Sequence, residues 1–391
     1  MIKPRSVPFF KPSLGREEEE AVLRVMRSGW LTTGSEARAF EDEFARFVSS
    51  PHALAVNSAT SGLMHAMQAF GVGPGTTVLT TPYTFVSTAT AAIHLGAEVR
   101  YADIGPDGFN IDPAAVDRAL AEHNDIRAVV PVHVAGLPCD MEHLCRSAGK
   151  TGAAVIEDAA HSFPSKTAAG YAGTLGDAGV FSFYATKTIT TGEGGMICVR
   201  DPDIAQRITR LRCHGIDRPV WDRYTSNKAD WLYDVTEEGW KTNLPDVLAA
   251  IGRVQLGRAE SFFEKRRAIA RRFSEAFAGY DFLTVPPDGD GHAWHLYLLG
   301  IVPELLNTDR DGFGHLLRDA GISISLHFIP HFEQTWCKKR YNLSRSDFPH
   351  AARRYDTTLT LPLWPDMEEW MIDQVITTVI SIGKAQYRRR P

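Results

Sequence analysis

The chain has 391 residues, a length that favours two domains or one large α/β domain with an appendage. Hydrophobic residues make up 44% of the chain and charged residues 23%, the balance of an ordinary soluble globular protein. The formal net charge of −5 gives neither the basic footprint of a nucleic-acid-binding protein nor a polybasic membrane anchor, so neither partner is expected.

Apolar, strand-like runs alternate with helical patterns between residues 53 and 200. The predicted strands are Thr77–Thr81, Glu98–Ala102, Arg127–Val134, Ala153–Glu157, Ala178–Phe183 and Gly195–Val199. The predicted helices between them are Ser61–Phe70, Phe85–Leu95, Pro113–Glu122 and Met141–Lys150. This alternation predicts the α/β class, with a mostly parallel sheet that carries helices on both faces.

The pattern changes after about residue 250. A long charged helix is predicted over Arg253–Phe277, and a loop rich in proline, glycine and aspartate follows it. The remaining predicted elements are the strands Ala293–Val302 and Ser323–Phe328 and the helices Asp311–Ala320 and Met367–Ile382. We therefore predict a large α/β domain over residues 21–252 and a small α+β domain over residues 253–391, completed by residues 1–20.

Two predicted strands end in residues that suit catalysis. Asp158 follows the apolar run that begins at Ala154, and Lys187 comes just after the run Val180–Phe183. Ligands of open parallel sheets bind beyond the carboxyl ends of the strands. Either residue alone would be ordinary, as a helix cap or an exposed lysine. Together they suit pyridoxal phosphate, which needs a lysine amine for its Schiff base and a carboxylate beside its ring nitrogen.

A phosphate site is predicted at residues 57–62. The segment Asn57-Ser58-Ala59-Thr60-Ser61-Gly62 precedes an apolar-periodic helix, so it can offer hydroxyls and backbone N–H groups to an anion. A plain capping loop would look the same. The glycines at residues 71–75 follow a helix and precede a strand, which is the wrong order for a dinucleotide fingerprint, and no P-loop is found.

Fragments spread over nearly the whole chain carry a family resemblance. The main ones are Gly29-Trp30-Leu31-Thr32-Thr33-Gly34, Thr81-Pro82-Tyr83-Thr84-Phe85, Glu157-Asp158-Ala159-Ala160-His161, Phe181-Ser182-Phe183, Glu193-Gly194-Gly195, Lys241-Thr242-Asn243-Leu244, His292-Ala293-Trp294-His295 and Leu326-His327-Phe328. In this order they resemble the DegT/StrS-like sugar aminotransferases. The resemblance implies the fold of a fold-type I pyridoxal-phosphate enzyme, with a large sheet of the seven-stranded type and a smaller α+β domain.

The resemblance also implies roles for single residues. Lys187 would bind the cofactor and shuttle the proton, which makes it the expected catalytic residue. The expected cofactor-binding residues, which would hold pyridoxal 5'-phosphate, are Ala59, Thr60, Phe85, Asp158, His161, Ser182 and Asn243. Asn243 would reach the phosphate from the second subunit of a homodimer with sites at the interface. Expected contacts to the substrate are Trp30, Thr32, Glu193 and His327.

The implied reaction transfers an amino group from L-glutamate to C4 of a nucleotide-linked 4-keto sugar, with UDP as the expected nucleotide. Within the family, the fragments look most like the aminotransferase that makes UDP-4-amino-4-deoxy-L-arabinose and its C4-aminating relatives. The product would serve surface polysaccharide, lipid A or glycan biosynthesis. Two alternatives stay open: a catalytically silent regulatory member of the same fold, and an aminotransferase acting at C3 of a dTDP-keto sugar.

The sequence favours a cytoplasmic protein without a metal site. Five cysteines are scattered without a C-x-x-C pair, which fits a reducing compartment. No apolar run approaches the ~20 residues of a membrane span, and the first residues lack the apolar run of a signal peptide. His327 and His331 stand four apart, but Pro330 between them argues against a zinc pair.

Overall fold

The computed structural model describes residues 6–217 and 232–388, and a seven-stranded sheet forms the centre of this part of the chain. The sheet has the order β1-β9-β8-β5-β4-β2-β3. Its strands are β1 His52–Val56, β2 Thr77–Thr80, β3 Glu98–Tyr101, β4 Ile126–Val129, β5 Ala154–Asp158, β8 Ala178–Ser182 and β9 Gly195–Val199. Strand β9 runs antiparallel to its neighbours β1 and β8, and the other adjacent pairs are parallel.

Helices cover both faces of this sheet. They are α1 Arg16–Ser28, α2 Ser35–Val48, α3 Ala59–Ala69, α4 Ser87–His94, α5 Pro113–Glu122, α6 Met141–Thr151, α7 Pro202–Leu211 and α8 Asp246–Gly257. One apolar core joins α3, α4 and α7 to the strands, and a second joins α5 and α6 to the other face near β4 and β5. A short hairpin, β6 Lys166–Thr167 and β7 Gly170–Tyr171, lies apart from the main sheet. The strands are apolar on both faces because helices bury both faces.

The C-terminal part of the chain forms a second, antiparallel sheet. Its strands are β10 Leu283–Thr284, β11 Tyr297–Ile301 and β12 Thr358–Leu361, in the order β10-β11-β12. The helices are α9 Ala259–Phe277, α10 Arg310–Asp319, α11 Thr335–Tyr341, α12 Pro349–Thr357 and α13 Glu369–Gln386. Phe273, Phe277, Tyr297 and Trp364 are among the large side chains of their shared core. In the described residues no helix is long and apolar enough to cross a membrane.

The structure confirms the predicted fold class, an α/β protein with a large, mostly parallel sheet. Several predicted elements differ from the observed ones. The predicted helix Arg253–Phe277 is two helices, which meet at Arg258. Residues 323–328 form no strand, since only Ser325 bridges to Thr360 there. The predicted division into residues 21–252 and residues 253–391 with 1–20 stays a prediction.

Candidate active site

A cavity of about 320 Å³ opens at the carboxyl ends of the parallel strands. We call it the active-site cavity. It is lined by Ser58, Ala59, Thr60, Thr84, Phe85, Ser87, Val132, Asp158, Ala160, His161, Ser182, Tyr184, Thr186, Lys187, Glu193, Gly194, His327 and Phe328. The lining includes the catalytic residue predicted from the sequence and six of the seven predicted cofactor-binding residues. This is the edge of an open sheet where ligands are expected.

Asp158 is the last residue of β5 and is buried against α4. Its Oδ2 atom accepts a hydrogen bond from the Thr88 hydroxyl at 2.8 Å, and its Oδ1 atom accepts one from the Ala160 N–H at 3.2 Å. Burial raises the pKa of Asp158, while these hydrogen bonds and the charge of Lys187 oppose the rise. The site therefore holds a fixed carboxylate that a cationic partner in the cavity would stabilise.

The neighbouring Glu157 has a structural role. Successive side chains of a strand point to opposite faces, so Glu157 points away from the cavity. Its carboxylate accepts N–H bonds from Gly173, Leu175 and Gly176, each at 2.7 Å. It also bonds to His133 Nε2 at 2.8 Å. Glu157 thus fixes the loop that precedes β8, and Asp158 is left as the carboxylate of the cavity.

Lys187 lies in the turn between β8 and β9. Its backbone N–H donates to the Tyr184 carbonyl at 2.9 Å, which holds the turn. Burial lowers the pKa of the Lys187 amine from 10.5 to about 8, although the Asp158 carboxylate partly opposes this shift. A substantial fraction of the amine is therefore neutral near pH 8. A neutral amine is the form that attacks a carbonyl.

His161 is held in one orientation at the wall of the cavity. Its Nδ1 atom accepts the Ala135 N–H at 3.3 Å, and its ring stacks on Phe328 with 5.3 Å between centroids. Burial, and after it the charge of Lys187, holds the pKa of His161 well below its usual value. The neutral ring accepts at Nδ1, so its proton is on Nε2. His161 can therefore donate a hydrogen bond to a ligand in the cavity.

The N-terminus of α3 forms one side of the cavity. Ser58 is its N-cap, and the Ser58 hydroxyl accepts the Ser61 N–H at 3.2 Å. The first N–H groups of a helix have no intrahelical acceptor, so those of Ala59 and Thr60 face the cavity as an anion site. Gly195 of β9 allows this approach, because a Cβ there would lie 2.8 Å from the Ala59 nitrogen.

Three further predicted residues reach the cavity from other segments. Phe85 precedes α4 and leaves 61% of its side chain exposed, so its ring is free to cover a flat ligand. Glu193 is exposed and lies in the same connection between β8 and β9 as Lys187. His327 enters from the C-terminal part, with its Nδ1 atom 2.9 Å from the Thr360 hydroxyl. Burial lowers the pKa of His327 to about 3, so its ring is neutral.

Trp30, Thr32 and Asn243 are not among the residues that line the cavity. They lie together elsewhere, where the Asn243 amide donates to the Thr33 hydroxyl at 2.5 Å and the Trp30 indole donates to the Thr33 carbonyl at 3.3 Å. The Thr32 carbonyl accepts the Asp246 N–H. Their predicted contacts with cofactor and substrate stay predictions.

Sequence reasoning did not single out Thr88, Tyr184 or Thr186. Thr84 lies just before α4 and Thr88 lies in its first turn, and their hydroxyls are 2.9 Å from each other. No pattern in the sequence could show that Thr88 contacts Asp158, because that contact joins residues 70 positions apart.

A model of the DegT/DnrJ/EryC1/StrS aminotransferase family matches residues 12–380. This chain belongs to that family. The chain is 40% identical over 389 residues to the spore coat polysaccharide biosynthesis protein SpsC of Bacillus subtilis (strain 168), covering 98% of this chain and 99% of SpsC. The family prediction is confirmed.

Solved structures of the family have the same fold. The aminotransferase TlmJ from Streptoalloteichus hindustanus matches with a TM-score of 0.88 and 31% identity, over 97% of this chain and 99% of TlmJ. The candidate sugar aminotransferase Spr1654 from Streptococcus pneumoniae, in its PMP form, matches with a TM-score of 0.90 and 26% identity, over 97% and 99%. Its PLP form has also been solved. The predicted enzyme class, a pyridoxal-phosphate-dependent sugar aminotransferase, and the predicted cofactor are confirmed.

The cavity of this family member fits pyridoxal phosphate. Lys187 and the buried Asp158 both line this cavity. The pyridine ring of the cofactor needs such a lysine amine for its Schiff base and such a carboxylate beside its ring nitrogen. The N-terminus of α3 is free to take the phosphate, and the close approach of Gly195 leaves no room for a side chain that would fill this end. His161 offers its remaining N–H to the cavity. The residues present therefore suit each polar part of the cofactor.

Proposed function

We propose that this aminotransferase moves an amino group from L-glutamate to C4 of a nucleotide-linked 4-keto sugar, with UDP as the expected nucleotide. The observation that carries the proposal is the joint placement of Lys187, Asp158 and the α3 N-terminus in one cavity. The family makes the chain an aminotransferase. The identity of the sugar, the carbon that receives the amino group and the amino donor are what we propose beyond that finding.

Bound pyridoxal phosphate would supply the carbonyl that takes up the amino group and the ring that withdraws electrons from the reacting carbon. Asp158 would keep a proton on the ring nitrogen, because a buried carboxylate stabilises a cation beside it. His161 would donate its Nε2–H to the phenolic oxygen. Lys187 would hold the cofactor and then move a proton between the substrate carbon and the cofactor carbon, which requires the neutral amine.

The outer part of the cavity suits a sugar. The exposed ring of Phe85 gives a flat apolar surface, and the exposed carboxylate of Glu193 can accept hydrogen bonds from hydroxyl groups. The ring nitrogen of His327 that does not contact Thr360 can form one hydrogen bond with a hydroxyl or keto oxygen of the substrate. These groups support a neutral, hydroxyl-rich acceptor in this part of the cavity.

A second subunit would complete the site. Among the lining residues that the structure describes, Lys187 is the cation, so a pyrophosphate group needs positive charge from elsewhere. Lys241 is exposed beside Asn243 and donates to its side-chain oxygen. We propose a homodimer in which Asn243, with Trp30 and Thr32 beside it, faces the cavity of the partner subunit.

The name of one relative supports a biosynthetic role. SpsC is a spore coat polysaccharide biosynthesis protein and covers 98% of this chain. We propose that the amino sugar made here likewise enters a surface polysaccharide or another glycan. The cytoplasmic location stays a prediction.

A half-reaction screen tests the proposed substrate. Enzyme first converted to its pyridoxamine form by L-glutamate would be mixed with UDP-, dTDP- and GDP-linked 4-keto sugars, and with a dTDP-linked 3-keto sugar. We expect the UDP-linked 4-keto sugar to return the cofactor spectrum to the pyridoxal form fastest, with an amino sugar as product. Faster turnover of the 3-keto sugar would contradict the C4 assignment, and no turnover of any sugar would contradict the acceptor class.

A further inference from the structure

A second buried histidine, His295, packs against His161. The two ring centroids are 4.5 Å apart, and the ring planes make an angle of 58°. His295 is 3% exposed, and its Nδ1 atom has no hydrogen-bond partner among the described residues. An unpartnered buried polar atom destabilises the folded state. The His295 side chain is therefore not held by a hydrogen bond through Nδ1. The contact that its ring makes is with the ring of His161.

The backbone next to His295 is fixed to the same turn that orients His161. The Ala293 N–H donates to the Gly136 carbonyl at 2.9 Å, and Ala135 in that turn donates to His161 Nδ1. Gly136 has φ +102°, and a Cβ there would lie 2.9 Å from the Ala293 Cβ and 3.0 Å from the His161 carbonyl. The two segments touch through their backbones, so the position of His295 relative to His161 is tightly defined.

A buried guanidinium fixes the other side of His295. Arg266, 3% exposed, donates to the His295 carbonyl at 3.1 Å and to the Leu363 carbonyl at 2.9 Å. Burial holds the pKa of His295 well below its usual value, and the cationic charges of Lys187 and Arg266 act in the same direction. Both imidazoles are therefore neutral, and they pack without charge repulsion.

We propose that His295 is a positioning residue for His161, confining its ring so that the Nε2–H stays directed into the active-site cavity. Phe328 covers one face of the His161 ring, and His295 limits its rotation from another side. Without the His295 ring, His161 gains room to turn about its χ2 angle and to lose the Ala135 hydrogen bond. The inference rests on the proposed role of His161 at the phenolic oxygen of the cofactor.

Three variants separate packing from other effects. His295→Ala removes the ring, and His295→Phe keeps its volume but lacks both nitrogen atoms. His292→Ala is the matched control, because His292 is also buried in this segment but stacks on Trp294 at 3.9 Å. Thermal melting of the apoproteins measures the stability that each variant loses. The cofactor readouts are the pH midpoint of the visible band of bound pyridoxal phosphate and the Kd of the cofactor.

We expect His295→Ala to raise the pH midpoint of the visible band by about 0.5–1 unit. The reason is that the hydrogen bond from His161 Nε2–H to the charged phenolic oxygen of the cofactor is weakened. The Kd for the cofactor should rise about 5- to 10-fold. His295→Phe and His292→Ala should keep the wild-type midpoint, whatever their melting temperatures. An unmoved midpoint in His295→Ala would overturn the inference, and so would an equal shift in His295→Phe.

A double-mutant cycle tests whether His295 acts through His161. His161→Phe should raise the midpoint by itself, and His295→Ala should add no further shift in that background. A full additional shift would overturn the inference, because His295 would then act directly. A midpoint that His161→Phe leaves unchanged would overturn the proposed role of His161 and the inference with it. A shift with His161→Phe but not with His295→Ala would overturn the inference alone.

Discussion

The carboxylates of Glu157 and Asp158 have different partners although they are adjacent in the chain. Glu157 is surrounded by backbone N–H groups of the loop before β8, whereas Asp158 bonds to Thr88 and borders the cavity. The sequence predicts Asp158, at this strand end, as the carboxylate of the site. The alternation of a strand places Glu157 on the opposite face, and the hydrogen bond from Thr88 of α4 holds Asp158 at the cavity.

Asp158→Asn should lower the rate of the glutamate half-reaction about 100- to 1,000-fold. Removing one partner of a buried charge pair costs about 3–4 kcal/mol, and the loss here would fall on the state with a protonated ring nitrogen. Stopped-flow absorbance of the bound cofactor measures this rate. A rate within threefold of wild type would contradict the assignment.

Glu157→Gln is the matched control for that variant. The same change one residue earlier places an N–H donor against the N–H groups of Gly173 and Gly176. We expect the apoprotein to lose about 1–3 kcal/mol of stability, because buried donors lose their acceptor. The spectrum of the bound cofactor should stay as in wild type. A changed spectrum would show that the two carboxylates act on the cofactor together.

The pKa of Lys187 predicts how cofactor binding depends on pH. Because burial lowers this pKa from 10.5 to about 8, the neutral amine increases as pH rises through 8. The rate at which apoprotein takes up pyridoxal phosphate should rise with the same midpoint. Asp158→Asn should move the midpoint down, since the Asp158 charge raises the pKa of Lys187. A midpoint near 10.5, or one that Asp158→Asn moves up, would contradict this account.

At the scale of elements, the N-terminus of α3 depends on β9. Gly195 pairs with Val56 and Ser182 in the sheet and lets the first turn of α3 come close. A side chain at residue 195 would meet the Ala59 nitrogen at 2.8 Å and the Phe181 carbonyl at 2.9 Å. The phosphate site therefore depends on a residue that lies on a different element from the helix.

Gly195→Ala should destabilise the apoprotein by about 1–3 kcal/mol and weaken cofactor binding, because α3 must shift away from the sheet. Gly149→Ala is the control, since a Cβ at this exposed helical position would meet nothing within 4 Å. It should be neutral or stabilise by up to about 1 kcal/mol. Chemical denaturation and cofactor titration measure both. Equal behaviour of the two variants would contradict the packing argument.

Elements with a clear hydrophobic pattern were predictable, and element boundaries that depend on tertiary contacts were not. The predicted helix Pro113–Glu122 agrees with α5, and Gly195–Val199 agrees with β9. Strand β1 was not predicted because its five residues run directly into the loop of the phosphate site. The break at Arg258 is not visible in the sequence pattern, because Gly257 and Arg258 do not interrupt the helical periodicity.

At the scale of the whole molecule, one cavity collects residues from distant parts of the chain. Lys187 and Asp158 come from the large sheet, and His327 and Phe328 come from the C-terminal part. Their positions at strand ends predicted Lys187 and Asp158, and family resemblance added His327, whereas Phe328 was not predicted as a site residue. Neither could supply the contact between His295 and His161, because a contact across 134 positions depends on how the two parts pack.

Mixed dimers test the proposed interface. Lys187→Ala and Asn243→Ala subunits should each form poorly active homodimers, whereas a mixed dimer contains one site with both residues intact. Co-expression with two affinity tags should therefore restore about half of the wild-type activity per mixed dimer. If the mixed dimer is as inactive as its parents, Asn243 acts within its own subunit. A monomeric wild-type protein in sedimentation experiments would also contradict the proposal.

The most direct test of the account is the site of cofactor attachment. Holoenzyme would be reduced with borohydride, digested and mapped by mass spectrometry. The account predicts a phosphopyridoxyl group on the peptide that contains Lys187. Modification of a different lysine, with Lys187 left unmodified in active enzyme, would contradict it.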